Sequence, residues 1–331
     1  MFISLASLGY NQAMARMIVG VLRGGTSGEY NLSLKTGAAM LNALPEEKYD
    51  VRDILIDKTG LWHLRGSPAT PARALAQIDV VLNALHGGVG EDGTVQRLIE
   101  RVGIPYAGAR PQAAGLSLNK NRAREILAQA GVRIPRGVSF SPRNELNTAD
   151  MAGLTFSQFG PPYIVKPAME GAGSGIRIAA TIVDLPDAIG DVLDAFGSAL
   201  VEEYVRGKEA SVGVIDNFRN EELYVLPPAL VEREGMFTGT DVHESGTMRH
   251  SVPSPFSYTQ KLTLADTARR AHRVLGMSHF SRSDLTVTPT AVYLLEVNAI
   301  PGLYPGATFP SMLEAVGSSV TEFLEHAIHL A

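Results

Sequence analysis

Met17-Ile-Val-Gly-Val-Leu22 is an unbroken apolar run that ends at Gly24-Gly25. A strand apolar on both faces must be covered on both sides, which is the arrangement of a parallel sheet layered between helices. Leu32, Leu34, Ala38, Ala39, Leu41 and Leu44 then recur at helical spacing before Pro45, and Val51 to Ile56 reads as the next strand. Ile78 to Leu85 is another such run, broken only by Asp79 and Asn83 and ending in His86-Gly87-Gly88. A helix over Thr94–Val102 and a short strand at Ile104–Tyr106 complete this βαβ-like opening. Its glycine-bounded strand ends leave turns that can receive a phosphate or a small substrate.

At 331 residues the chain is too long for a single core, so roughly two or three are expected, with a boundary near residue 110. Beyond it, the spacing predicts a helix from about Ser117 to Gly131 and short strands at Tyr163–Lys166, Gly175–Ile178, Leu200–Tyr204 and Ser211–Ile215. A helix over Leu185–Phe196 makes this stretch an α+β module. The segment 235–255, rich in Gly, Ser, Thr and His, has no period and reads as a long mobile loop of the lid type. A helix over Leu262–Leu275, strands at Ser283–Val287 and Val292–Val297, and a helix from about Ser311 finish the chain. Residues 1–16 read as a poorly ordered or helical extension.

Three classes of function are disfavoured. A net charge of −5 gives no field to hold a nucleic-acid backbone. No run reaches the roughly 20 apolar residues that span a bilayer, so a cytoplasmic protein is expected. With no cysteine there is neither a disulfide framework nor a thiolate metal site, so a metal here needs oxygen or imidazole ligands, and Mg²⁺ suits these best.

Asp284 lies on one strand candidate, while Glu296 and Asn298 sit two apart on the next and can face the same side. Two carboxylates and an amide on strands this apolar suit a hard cation bridged to phosphates; the plain alternative is a rim salt bridge to Arg282. Lys166-Pro167 precedes Glu170-Gly171-Ala172-Gly173-Ser174-Gly175, whose N–H groups can cradle phosphate oxygens or simply turn a hairpin. Lys120, at the start of a helix, offers a second phosphate contact or is a solvated lysine. Glu202-Glu203-Tyr204-Val205 with Glu209 can hold adenine by the Val205 backbone and ribose by an acid, or can be an edge strand with exposed acids.

In this order the pieces resemble the ATP-grasp superfamily and, within it, the D-alanine–D-alanine ligases. The resemblance covers nearly all of the chain after residue 17. It is carried by Gly24-Gly-Thr-Ser-Gly-Glu29 with Ser33-Leu34, by His86-Gly-Gly-Val-Gly-Glu-Asp-Gly-Thr-Val-Gln96, and by Lys166-Pro with its glycine loop. Val201-Glu-Glu-Tyr204, Arg282-Ser-Asp284 and Glu296-Val-Asn-Ala-Ile-Pro-Gly302 complete the set. It implies an ATP-grasp fold of mixed α/β and α+β character: an N-terminal Rossmann-like domain over 17–110, a central subdomain over 111–204 and a C-terminal subdomain over 205–331.

The implied activity is ATP-dependent carboxylate–amine ligation for peptidoglycan precursors by a cytoplasmic homodimer, with two Mg²⁺ ions, or Mn²⁺, as cofactors. Lys120, Lys166, Gly173 and Ser174 would contact the phosphates; Glu202, Glu203, Val205 and Glu209 would hold the nucleoside; Asp284, Glu296 and Asn298 would hold metal. Glu29 would anchor the first substrate's ammonium, His86 would lie near its carboxylate, and Arg282 with the Gly302 N–H would meet the oxyanion.

Departures from the pattern cluster on the acceptor side. The usual serine pair of the glycine loop is Ala172-Gly173, and the Ser-Leu-Phe-Pro that usually holds the second substrate's carboxylate reads Ala307-Thr-Phe-Pro310. His243 stands where a loop lysine is usual, and Asn119-Lys120 replaces Asp-Lys. These changes leave open a ligase with a different amino-acid or hydroxy-acid acceptor, or a weak or silent nucleotide-binding homologue.

Overall fold

The computed structural model describes residues 16–169, 171, 175–233 and 248–331. The first sheet contains β1 (Met17–Gly24), β2 (Tyr49–Ile56), β3 (Trp62–Leu64), β4 (Ser67–Ala69), β5 (Val80–Asn83) and β6 (Tyr106–Ala107), in the order β4-β3-β2-β1-β5-β6. β1 pairs in parallel with β2 and with β5, so Val19 lies between Val51 and Val80. Both faces of β1 are covered, as its apolar run requires. Val19 and Val21 pack with Met40 and Leu44 on one side, while Leu22 packs with Ile54, Leu75 and Ile99 on the other.

The second sheet, β7 (Gly137–Phe140), β8 (Tyr163–Lys166), β9 (Arg177–Ala179) and β10 (Ala199–Glu203), is antiparallel in the order β7-β10-β8-β9. Residues of the helices Thr148–Gln158 and Leu185–Phe196 share its core. The third sheet contains β11 (Lys208–Asp216), β12 (Leu223–Val225), β13 (Ala229–Arg233), β14 (Met248–Ser251), β15 (Phe280–Val287) and β16 (Val292–Asn298). Its order is β14-β13-β11-β15-β16, with β12 on β11. Its two faces bury separate clusters, one around Val212, Val214 and Leu285 and one around Ile215, Phe280 and Phe309.

Several expectations change. The helix expected over 117–131 is two helices, Pro111–Leu118 and Lys120–Gln129, because Asn119 leaves helical geometry and its side chain caps the Arg122 N–H at 3.1 Å. The C-terminal helix is likewise two, Thr308–Glu314 and Val320–Leu330, divided at Gly317 with φ of +69°. The helix expected from Leu262 begins at Tyr258, where Ser257 and Gln260 form a capping box. The loop expected over 235–255 contains β14, an edge strand of polar residues with no alternating pattern to announce it. The β3–β4 hairpin was unanticipated because each strand has only three residues; Arg65 and Gly66 both take positive φ at its turn. Residues 1–15, Glu170, Ala172, Gly173, Ser174 and 234–247, with His243, lie outside the described residues.

Candidate active site

One cleft of about 1510 Å³, counting its open mouth, is lined by strand residues of the second and third sheets and by loops that follow strands of the first. The second sheet contributes Lys166 and Glu202, the third contributes Glu209, Asp284, Glu296 and Asn298, and loops at the carboxyl ends of β1 and β5 bring Glu29 and His86. Lys120, Glu203, Val205, Arg282 and Gly302 also line it. Thus residues spread over some 270 positions meet in one place, as their sequence motifs suggested. Ala307 does not line the cleft: it is 3 % exposed, at the N-cap of the helix Thr308–Glu314. Its neighbour Thr308 lines the wall instead.

Pairing between β15 and β16 sets the oxygen donors. Arg282 faces Asn298 and Asp284 faces Glu296, and a bulge shifts the register immediately beyond Asp284. Without the extra residue Leu295, Glu296 would fall on the opposite pleat from Asp284. Asp284 receives Arg282 Nε at 3.1 Å and its second guanidinium nitrogen at 2.8 Å, Ser211 Oγ at 2.8 Å and Asn298 Nδ2 at 3.0 Å. Glu296 faces Lys120 Nζ at 3.7 Å. Burial acts to deprotonate Arg282, but Asp284 and Glu296 outweigh it, so the guanidinium stays charged. Two carboxylates and an amide that already gather two cations, Arg282 and Lys120, from two different elements are a donor set suited to a hard cation.

Across the cleft, Glu202 is only 2 % exposed. Its carboxylate is held by Arg124 on one oxygen and by Lys166 Nζ at 2.5 Å on the other. Glu203 follows on the opposite pleat of the same strand. Arg136 engages its carboxylate through the backbone N–H at 2.8 Å and Nε at 2.7 Å. Glu203 lines the cleft with its carboxylate held in this way by Arg136.

The third wall is a buried group of Glu29, His86 and Glu91, whose potential ligand atoms lie within 4.8 Å of one another. The backbones of Gly87 and Gly171 admit the Glu29 carboxylate: a Cβ at either would stand 2.8 or 2.6 Å from its Oε1. Thr36 Oγ1 fixes His86 Nε2 at 2.8 Å. Burial and, to a smaller extent, the Glu296 charge push the Glu91 carboxyl up to about 7 against the pull of the Gly87 N–H and Arg282.

Sequence reasoning passed over Arg124, Ser211, Glu91, Thr36 and Tyr304. Arg124 had a signal, one helical turn beyond Lys120 on the same face. Glu91 lay inside a quoted motif. Ser211 and Thr36 are placed only by tertiary pairing.

Comparison with known proteins identifies relatives over nearly the whole chain. The family model described as D-ala D-ala ligase C-terminus matches residues 126–329, and that described as D-ala D-ala ligase N-terminus matches residues 66–109. A D-alanine–D-alanine ligase of Desulforudis audaxviator is 33% identical over 316 residues, 95% of this chain and 98% of that protein. Among solved structures, the VanG D-Ala:D-Ser ligase of Enterococcus faecalis is 25% identical with a TM-score of 0.82, covering 95% of this chain and 99% of that one. The D-alanine–D-alanine ligase of Bacillus anthracis, solved with ATP, is 25% identical with a TM-score of 0.77, covering 95% and 97%.

Proposed function

The chain belongs to the D-alanine–D-alanine ligase family, and on that premise we propose that it joins two D-alanine molecules through an acyl phosphate, for peptidoglycan precursor synthesis. The observation that carries this reading is the alignment of Asp284, Glu296 and Asn298 on adjacent strands, facing Lys120 and Lys166 across one cleft. ATP is the phosphoryl donor. Lys120, Lys166 and the N–H groups of the loop bearing Gly173 and Ser174 receive its phosphates, Val205 and Glu209 hold the nucleoside, and Glu202 tethers Lys166 beside it.

Asp284, Glu296 and Asn298 would hold two Mg²⁺ ions, or Mn²⁺. When bound, these ions offset the charge that spreads over the transferring phosphoryl group. A carboxylate oxygen of the first substrate attacks the γ-phosphorus and ADP leaves; the second substrate's amine then attacks the acyl carbon and inorganic phosphate leaves. Glu29 takes the first ammonium, and His86, oriented by Thr36, lies near the carboxylate. Arg282 and the Gly302 N–H stabilise the tetrahedral oxyanion. We divide the chain at 110 and 204 to match these contributions, and take it to act as a homodimer in the cytoplasm, where ATP is supplied.

The test is incubation of the purified chain with ATP, Mg²⁺, K⁺ and D-alanine, following phosphate release and dipeptide mass. One phosphate per dipeptide is expected; no phosphate would refute the reading. Ala307, which lacks the expected hydroxyl, favours a second reading in which another small amino acid or hydroxy acid is the acceptor. Phosphate release across an acceptor panel separates the two.

A further inference from the structure

Tyr304-Pro305-Gly306-Ala307 closes a tight turn. The Ala307 N–H donates to the Tyr304 carbonyl at 3.0 Å, and Gly306 has φ of +90°. Proline second and a left-handed glycine third are the requirements of a type II turn, in which little backbone freedom remains. At one end of this rigid turn Tyr304 lines the cleft; at the other Ala307 is buried and brings no polar side chain. The Tyr304 ring lies over Gly302, where an added Cβ would come within 2.8 Å of its Cε1. Lys35 Nζ stands 5.8 Å from the ring centroid. Burial lifts the phenol above its ordinary value, Arg282 pulls it down and Glu29 pushes it up, so the hydroxyl keeps its proton between the two.

These contacts place an aromatic ring against the Cα of Gly302, whose N–H the ligase reading assigns to the oxyanion, and a phenol within the electrostatic reach of Arg282 and Glu29. We propose that Tyr304 is the acceptor-selecting residue: its O–H, carried on the Pro305-Gly306 turn, meets the acceptor carboxylate in place of a hydroxyl at 307, and its ring restricts the acceptor to an alanine-sized α-amino acid. The proposal rests on the ligase reading above. Thr308, also on the cleft wall, is the rival source of a hydroxyl.

The experiment measures initial rates for the full chain and for Tyr304→Phe, Tyr304→Ala, Thr308→Val and the double variant Tyr304→Phe with Ala307→Ser. Glycine, D-alanine, D-serine and D-valine serve as acceptors. Saturation-transfer NMR measures binding of the same amino acids to protein loaded with Mg²⁺ and a non-hydrolysable ATP analogue. Losing one hydrogen bond to a charged group is worth about tenfold or more. Tyr304→Phe should therefore raise the acceptor KM about tenfold with the KM for ATP unchanged, and Ala307→Ser should restore it. Tyr304→Ala should admit D-valine.

Unchanged acceptor KM and size preference in both Tyr304 variants would overturn the proposal. So would equal losses for ATP and acceptor, or an acceptor effect confined to Thr308→Val. Absence of phosphate release by the unmodified chain with D-alanine would instead refute the ligase reading. The NMR series then decides Tyr304 alone: an unchanged size preference in Tyr304→Ala overturns the proposal, and a lost one upholds it.

Discussion

Glu202 is almost wholly buried and is held between two cations, Arg124 and Lys166. Burying such a set is tolerable only while every charge has its partner, and removing one member of a buried pair costs about 3 kcal/mol or more. Arg124→Met should therefore lower the melting temperature and raise the KM for ATP several-fold, since Glu202 would draw Lys166 more closely to itself; calorimetry and ATP titration check both. Asp284 is the equivalent point of the proposed metal site. Asp284→Ala should reduce phosphate release by about two to three orders of magnitude, on the scale of losing one electrostatic stabiliser of the transition state, with the fold retained by circular dichroism. Glu296 and Asn298 were legible as a pair because a spacing of two on a strand is a statement about faces; that Asp284 faces Glu296 depends on the bulge at Leu295, which the spacing does not announce. Arg124 and Ser211 were not, because their partners lie 78 and 73 residues away and only the completed sheets bring them together.

Element boundaries carry the next level of control. Asn119 interrupts what the apolar pattern reads as one helix, and the new helix start sets the Lys120 backbone N–H on the Ala168 carbonyl at 2.9 Å, against the strand end that bears Lys166. Asn119→Ala should cost about 1 kcal/mol through the lost cap, read as a shifted denaturant midpoint, and should weaken ATP binding more than amino-acid binding. Gly306 sets the turn beside the proposed acceptor site as Asn119 sets the helix start beside the proposed phosphate site. Gly306→Ala forces a Cβ into a left-handed position at about 1–2 kcal/mol, and should raise the acceptor KM while sparing that for ATP. The parallel strands were legible from runs apolar on both faces. The helix at Thr148–Gln158 and the strand β14 were not, because Gly153, Ser157 and the polar Met248–Ser251 stretch dilute the period that announces them.

At the scale of the whole molecule, the first and third sheets are joined through His279, whose ring Nδ1 accepts the Gly108 N–H at 3.1 Å while its backbone N–H donates to Asp216 Oδ2 at 2.6 Å. Burial, helped by Arg110 and His326 and opposed by Asp216, holds the His279 imidazole below its ordinary 6.5. A base with a lower folded than unfolded pKa binds fewer protons when folded, so stability falls as pH drops below about 6.5. Burial raises the Asp216 carboxyl, but the His272 hydrogen bond and charge and the His279 N–H outweigh it and leave it lowered. Its contribution is present above the unfolded value near 3.8 and is lost as pH falls through the folded one. Melting temperature should therefore decline from pH 7.5 to 5.5, and His279→Asn should flatten that decline in a calorimetric series. Glu29, His86, Asp284 and Lys166 line one cleft, and in the proposed reaction a substrate carboxylate there attacks the γ-phosphate. The most direct test of that transfer uses D-alanine labelled with ¹⁸O in its carboxylate, with ATP and Mg²⁺, and mass analysis of the phosphate released. One ¹⁸O per phosphate in each turnover is the predicted result; dipeptide formed with unlabelled phosphate would contradict it.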